Sequence, residues 1–273
     1  MATRKVDQPA AGRRKSRLRM DRRTFLAKIA GLLIGGWLNS RIPVSAELFF
    51  PPIVGPPRIA LIIDDIGFNL RRTEPFLEAG IPITFSVLPR LCWSVESALA
   101  LHDHGHEIML HQPMEPFDTA LDPGPGAIFV SDRQECIHQV VAENIAALPH
   151  LVGVNNHMGS KYTQQPKKMG QALDVVKNCG LFFIDSLTTG HSTAYACARQ
   201  MGVSAKQRDL FLDNQQDVAS VVRQMQRLRI RAQKRGSAIG IGHPRRNTAE
   251  AIIRFLDQPE SRDIAFVHIS QMI

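Results

Sequence analysis

The sequence predicts an α/β fold of parallel strands and covering helices, closed toward a barrel. Short apolar runs almost free of charge recur along the chain, and each reads as a strand buried on both faces. Longer amphipathic stretches separate them, an alternation that implies parallel strands joined by right-handed crossovers. About seven such units fit into one uninterrupted stretch, which points to a barrel-like fold rather than a short open sheet.

The predicted strands occupy 59–63, 83–88, 107–110, 152–155, 181–184, 238–241 and 265–269. Val218, Val221, Val222, Met225 and Leu228 recur at three- and four-residue steps, as do Ala249, Ile252, Ile253 and Leu256, and both sets predict helices. Asn247 with Glu250 fits a helix N-cap followed by a carboxylate at the third position, and Ser131 with Gln134 fits a capping box. Residues 58–273 carry no low-complexity linker, charge block or repeat, and 216 residues can bury a sizeable core as one domain.

The charge belongs elsewhere. The chain has 33 Lys+Arg against 25 Asp+Glu, a net charge of +8 and a pI near 9.7. Residues 1–46 hold eleven of those bases and two of the acids, leaving 22 bases against 23 acids in 47–273. The domain is therefore near neutral, which removes the argument for a nucleic-acid partner. Residues 1–46 instead have the layout of an export signal. A basic stretch precedes the apolar run 29–38, which is too short for a membrane span, and Val44-Ser45-Ala46 forms a small-x-small cleavage site before Glu47. Asp21-Arg22-Arg23-Thr24-Phe25-Leu26 resembles the twin-arginine motif, so the expected location is periplasmic or extracytoplasmic, reached through the twin-arginine machinery. Residues 47–57 form a Pro-rich lead-in. Cys92, Cys136, Cys179 and Cys197 show no metal-finger spacing and are expected to be small buried hydrophobes.

Chemistry-bearing residues gather where parallel α/β folds place their active sites, at the carboxyl ends of the strands. Asp64-Asp65 follows IALII, His111 follows EIML with Glu115 four residues on, and Asn155-Asn156-His157 follows LVGV. Asp185-Ser186 follows LFFI, and His243 follows AIGIG. One such residue could be a turn or a cap; five strand ends delivering them together point to convergence. Carboxylate and imidazole meeting at one point suit a borderline divalent cation, Zn²⁺ first. His102-Asp103-His104-Gly105-His106 looks like a metal cluster but lies at a helix C-terminus, where Gly105 suits the cap and histidines favour the dipole. Gly124-Pro125-Gly126 is a turn, not a phosphate loop, and Ser160 and Ser186 lack a nucleophile elbow.

Taken in order, IALIIDDIG, GHEIMLHQPMEP, VGVNNHMGS, FFIDSLTT, RDLFLDN and AIGIGHP resemble the successive motifs of the divergent polysaccharide deacetylase family, over essentially all of 58–273. The resemblance implies a deformed seven-stranded (β/α) barrel of the NodB type with a metal held by one aspartate and two histidines. It implies Asp64 as general base, Asp65 and His111 as metal ligands, and His243 as the group that protonates the leaving amine. Glu115 stands where the wider superfamily has its second histidine, so either His157 supplies that imidazole or Glu115 itself ligates. NNHMGS occupies the region where the relatives carry an arginine beside the catalytic aspartate. Asn156, Asp185 and Ser186 are expected in a surrounding shell or against substrate.

The implied reaction is hydrolysis of an N- or O-acyl group on an envelope carbohydrate by metal-activated water. A metal-dependent amidase acting on a non-sugar substrate and a non-catalytic envelope protein that retains the metal are the alternatives.

Overall fold

Each of the seven predicted runs contains a strand in the computed structural model, which describes residues 55–273, although the last, 265–269, is strand only at Ala265–Phe266 and ends in a 3-10 turn from Ile269. The predicted export signal and most of the lead-in lie outside the described residues. The described chain belongs to one compact unit, Pro52–Ile273. The strands are β1 (Arg58–Ile66), β2 (Thr84–Val87), β3 (Glu107–Met114), β4 (Leu151–Met158), β5 (Phe182–Asp185), β6 (Ala205–Gln207), β7 (Leu210–Phe211), β8 (Ser237–Gly242) and β9 (Ala265–Phe266). The helices are α1 (Glu74–Leu77), α2 (Ser94–Asp103), α3 (Gln134–Ala146), α4 (Pro166–Asn178), α5 (Ala194–Gln200), α6 (Val218–Arg235) and α7 (Arg246–Leu256). None of the described helices is long and apolar enough to cross a membrane.

Every strand ladder is parallel, in the order β6-β5-β4-β3-β2-β1-β8-β7, with β9 added to the start of β1. The two ends of this order, β6 and β7, are separated in sequence only by Arg208 and Asp209. Three Cα–Cα steps of 3.8 Å cannot span more than about 11 Å, so the sheet must curl until its edges nearly meet. The result is a deformed barrel whose wall is hydrogen-bonded everywhere except at that seam. Strands β6 and β7 were invisible in the apolar pattern because they are two or three residues long and include the exposed Lys206 and Gln207.

Two apolar layers follow from the strict alternation of strand side chains. Ile59, Leu61 and Ile63 on β1, Ile108 and Leu110 on β3, and Val154 and Phe183 on β4 and β5 pack outward under the helices. Ala60, Ile62, Met109, Phe182, Ile184, Ile239 and Ile241 fill the barrel interior. Helix α6 covers the outside with Val221, Met225, Leu228 and Ala232. Asp217 caps its first turn, accepting from the Ser220 amide, and Gly236 ends it at φ 83°.

Two predicted caps are corrected. Helix α7 starts two residues early, with Arg245 at its N-cap, while Asn247 donates to the Gln216 carbonyl and Glu250 pairs with Arg254. Helix α3 begins at Gln134 behind Arg133, and the residue that ties the preceding turn is Asp132, accepting from the Phe129 amide. The cysteines are corrected as well: Cys92, Cys136 and Cys179 are exposed, Cys197 is half-buried, and all four are free. An apolar local context does not say which side of a helix faces in; on α3 the inward positions are Ile137 and Val141. Gly105 does end α2, at φ 83°, and His104 bonds back to the Ala100 carbonyl, so the histidine-rich segment has the expected capping role.

Helix α6 packs on β8 at Gly240, where an added Cβ would stand 2.7 Å from Leu228 Cδ2, with Leu212 and Leu61 at 3.2 and 3.3 Å. Gly240→Ala is therefore expected to lower the unfolding free energy by about 1–3 kcal/mol through overpacking. Chemical denaturation of the two proteins checks this; an unchanged midpoint would show that the helix is not seated on the strand at that point.

Candidate metal centre

The inward layer becomes polar one step beyond its last apolar residues. After Ala60 and Ile62 comes Asp64; after Met109, His111; after Ile184, Ser186; after Ile241, His243. On β2 and β4 the same alternation turns Ser86, Asn155 and His157 inward. These side chains meet at the carboxyl end of the barrel, around a cavity of about 290 Å³ lined in part by Asp64, His111, His157, Ser186, Phe211 and His243.

Asp65 breaks that alternation. By strand geometry it should point outward under the helices. Instead the β1–β2 register shifts between Ile63 and Ile66, and Asp65 takes a left-handed backbone at φ 58°. Such a bulge re-aims a side chain, and a left-handed non-glycine residue costs roughly 1–2 kcal/mol. Both aspartates consequently face the same imidazole: His111 Nε2 lies 3.2 Å from Asp65 Oδ1 and 3.6 Å from Asp64 Oδ2. Met158 and Leu187, at the ends of β4 and β5, share the left-handed conformation at φ 52° and 50°. Three of the five non-glycine residues with positive φ among the described residues thus lie around this one site.

Asp65 Oδ1, His111 Nε2 and His157 Nδ1 form a triangle with sides of 3.2, 3.0 and 3.1 Å. Donors held about 2.1 Å from one cation fall roughly 3.0 Å apart at right angles and 3.4 Å apart at tetrahedral angles. The triangle matches that range. Asp65 Oδ1 is buried and receives no hydrogen bond of sound geometry despite its two imidazole neighbours. One carboxylate oxygen and two imidazole nitrogens gathered this closely fit a divalent cation.

Asn155 fixes which atoms face inward. The Asp64 carboxylate can only accept at Oδ1, so it takes Asn155 Nδ2–H at 2.8 Å. The Asn155 oxygen is then left to accept from Ser86 Oγ and from His111 Nδ1–H, the latter at 2.7 Å. With its proton on Nδ1, His111 presents the Nε2 lone pair to the triangle, the arrangement that orients a metal-binding imidazole. Burial alone would lower the His111 pKa, but Asp64 and Asp65 outweigh it and push the imidazole toward its positive form. Burial would raise Asp65, yet His111 and His157 hold its carboxyl well below the usual range. Asp64 differs: burial dominates and raises its carboxyl, with His111 and His243 offsetting only part. The centre is a place that stabilises positive charge beside a carboxylate that readily takes a proton.

Across the cavity, His243 Nε2 stands 3.9 Å from Asp65 Oδ2, and its Nδ1 lies 2.8 Å from Asp213 Oδ1. Asp213 also accepts from the His243 amide, Thr248 Oγ1 and Arg245. Burial would lower the His243 pKa, but the Asp213 carboxylate reverses that and raises it. Phe211 stacks near the imidazole at 6.0 Å, with the Arg208 guanidinium 3.7 Å over the same ring.

The structure brings Asp64, Asp65, His111, His157, Ser186 and His243 together. It does not bring in Glu115, whose carboxylate is engaged by Lys161 Nζ at 2.5 Å and the Val130 amide at 2.7 Å. Asp185, one residue out of phase on β5, accepts from Leu187 N, Ser192 Oγ and Tyr195 N and serves the following loop rather than the cavity. Asn156, although out of phase, does line the cavity and also braces the Ser186 amide and the Met158 carbonyl, so it stands in the expected surrounding shell. Ser86 and Asp213 are site residues that the sequence reading missed, and Asn155 was noted at its strand end without a role. Asn155 shares a strand face with His157, and Asp213 lies within RDLFLDN, so both signals were present in the sequence.

Comparison with known proteins gives the family and the fold. An uncharacterized protein of Haemophilus influenzae is 32% identical over 223 residues, covering 80% of this chain and 77% of its own. The uncharacterized protein YibQ of Escherichia coli is 32% identical over 202 residues, which are 74% of this chain and 61% of that protein, so the match spans less than two thirds of YibQ. A crystal structure of an uncharacterized protein from Agrobacterium tumefaciens C58 superposes with a TM-score of 0.74 at 21% identity, covering 80% of this chain and 90% of that one, and shares the fold. The sequence pattern of the divergent polysaccharide deacetylases matches residues 61–273, and the chain belongs to that family.

Proposed function

We propose that this protein is a metal-dependent hydrolase that removes an N- or O-acyl group from an envelope carbohydrate. The observation that carries the proposal is the triangle of Asp65 Oδ1, His111 Nε2 and His157 Nδ1, with Asp64 and His243 on either side. Those three atoms would hold the cation, and Zn²⁺ suits their mixed carboxylate–imidazole chemistry; when bound it would lower the pKa of water and polarise an acyl carbonyl. Asp64 is placed as the general base. Its raised carboxyl pKa brings its proton affinity closer to that needed to accept a proton from the attacking water near neutral pH. His243 is placed as the general acid, giving its Nε2 proton to the departing amine or alcohol while Asp213 stabilises the charged imidazole. Asn155 keeps Asp64 and His111 in register with one another. The carbohydrate substrate is supported by the family, and the extracytoplasmic location by the export-signal pattern of residues 1–46.

The division of labour between the adjacent aspartates is directly testable. Asp64→Asn keeps the Asp65, His111 and His157 donors and should retain bound metal while losing deacetylation of an acetylated glycan, measured as acetate release. Asp65→Ala should lose the metal itself in elemental analysis. Metal loss in the first variant and retention in the second would reverse the assignment.

The Asp213–His243 pair sets a pH limit. Asp213 raises the His243 pKa, so the acid form persists to higher pH than it would alone. Asp213→Asn removes that support, and the alkaline limb of the activity profile should move to lower pH. A limb that stays in place would show that His243 is not the titrating acid.

A further inference from the structure

A second cavity, of about 480 Å³, opens beside the metal centre and is lined by Arg72, Gln216, Pro244, Arg245, Arg246 and Asn247. Its walls come from the segments that follow β1, β7 and β8, so it lies at the same end of the barrel as the cluster. The two cavities share a wall: His243 lines the first, and Pro244 and Arg245, the next two residues, line the second.

The charge of this cavity is one-sided. Three guanidiniums line it and no carboxylate does. Behind the wall Asp213 is paired with Arg245 through Nη1 and shared with His243. Counting Asp213 in full, three positive charges less one leaves a formal excess of two. Arg72 and Arg246 are exposed and have no hydrogen-bond or ion-pair partner among the described residues. Arg245 and Arg246 also sit at the N-cap and first position of α7, where no side chain caps the first turn and no acid occupies it. Cations are disfavoured there, because the amides of a helix N-terminus already present positive charge. Arginines on that end add to its positive potential, which an anion in the cavity would offset.

We propose that this cavity binds a phosphoryl group, carried by the acylated saccharide whose acyl group lies at the Asp65–His111–His157 cluster. A phosphomonoester carries a charge of about −1.5 to −2 near pH 7, which matches the excess, and its oxygens suit the guanidinium fork. A single carboxylate would leave one charge uncompensated. The phosphate site follows from the arginines alone; only its role in holding the substrate rests on the deacetylase reading. The substrate class is then a phosphorylated, acylated sugar rather than a neutral glycan.

The test is isothermal titration calorimetry of the full chain after metal removal with EDTA, using inorganic phosphate and, separately, succinate. Removing the metal keeps phosphate from binding at the cluster. Saturable phosphate binding is expected, weakened about tenfold or more in Arg72→Ala/Arg246→Ala, because two charge-assisted contacts are lost. Both side chains are exposed, and an unchanged circular dichroism spectrum confirms that the variant is folded. Arg72→Lys/Arg246→Lys keeps the charge without the fork and should fall between the two. Asp65→Ala should bind phosphate as the unmodified chain does, so failure of the metal assignment would leave this result intact. Equal phosphate affinity in the unmodified and double-alanine chains, absence of saturable binding, or succinate binding as tightly as phosphate with the same dependence on the two arginines would overturn the proposal.

Discussion

Adjacent residues on a regular strand face opposite sides of its sheet, so two neighbouring aspartates cannot share one site unless the backbone gives way between them. In this protein it gives way at Asp65. The register shift between Ile63 and Ile66 and the φ of 58° turn the second carboxylate back toward the barrel mouth. Without that turn Asp64 would still look into the barrel, but the His111–His157 pair would have no carboxylate at 3.0–3.2 Å. The conformational cost, roughly 1–2 kcal/mol, is small against the burial of Ile59 to Ile63 on the same strand, which holds the bulge in place.

The rest of the centre follows from alternation and from one amide. On β1, β3, β5 and β8 apolar residues fill the inward positions up to the carboxyl end, and the next inward position is polar. The barrel therefore closes over its core and opens into a ring of donors and acceptors without any change in strand geometry. Asn155 then decides which atoms point where. Because Asp64 can only accept, the amide orientation is set, and with it the His111 tautomer and the direction of the Nε2 lone pair. A residue with no acid–base chemistry of its own thus links the proposed base to the proposed metal ligands.

Much of this was legible in the sequence for a specific reason. Buried parallel strands need uncharged apolar runs, so the strands appeared as interruptions in the charge pattern, and the residues just after them appeared as site candidates. What escaped reading depended on phase and on length. Asp185 stands at the right strand end but one residue out of phase with the interior, so it supports a loop, whereas Asn155 is in phase with His157. Glu115, attractive by spacing, is captured by Lys161 and the Val130 amide, a pairing made by a residue 46 positions away that no local pattern reveals. Strands β6 and β7 were too short to leave a periodic signal, although they bring the edges of the barrel together. Arg72, Arg245 and Arg246 carry no shared pattern in the sequence, and only the fold brings them to one cavity.

Direct titration of divalent metal into the full chain, beside His157→Ala and Glu115→Ala, tests the central claim. One equivalent of cation should bind to the unmodified protein and to Glu115→Ala with similar affinity, and binding to His157→Ala should be severely weakened. Retention of tight binding without His157, with its loss on removal of Glu115, would contradict the Asp65–His111–His157 centre.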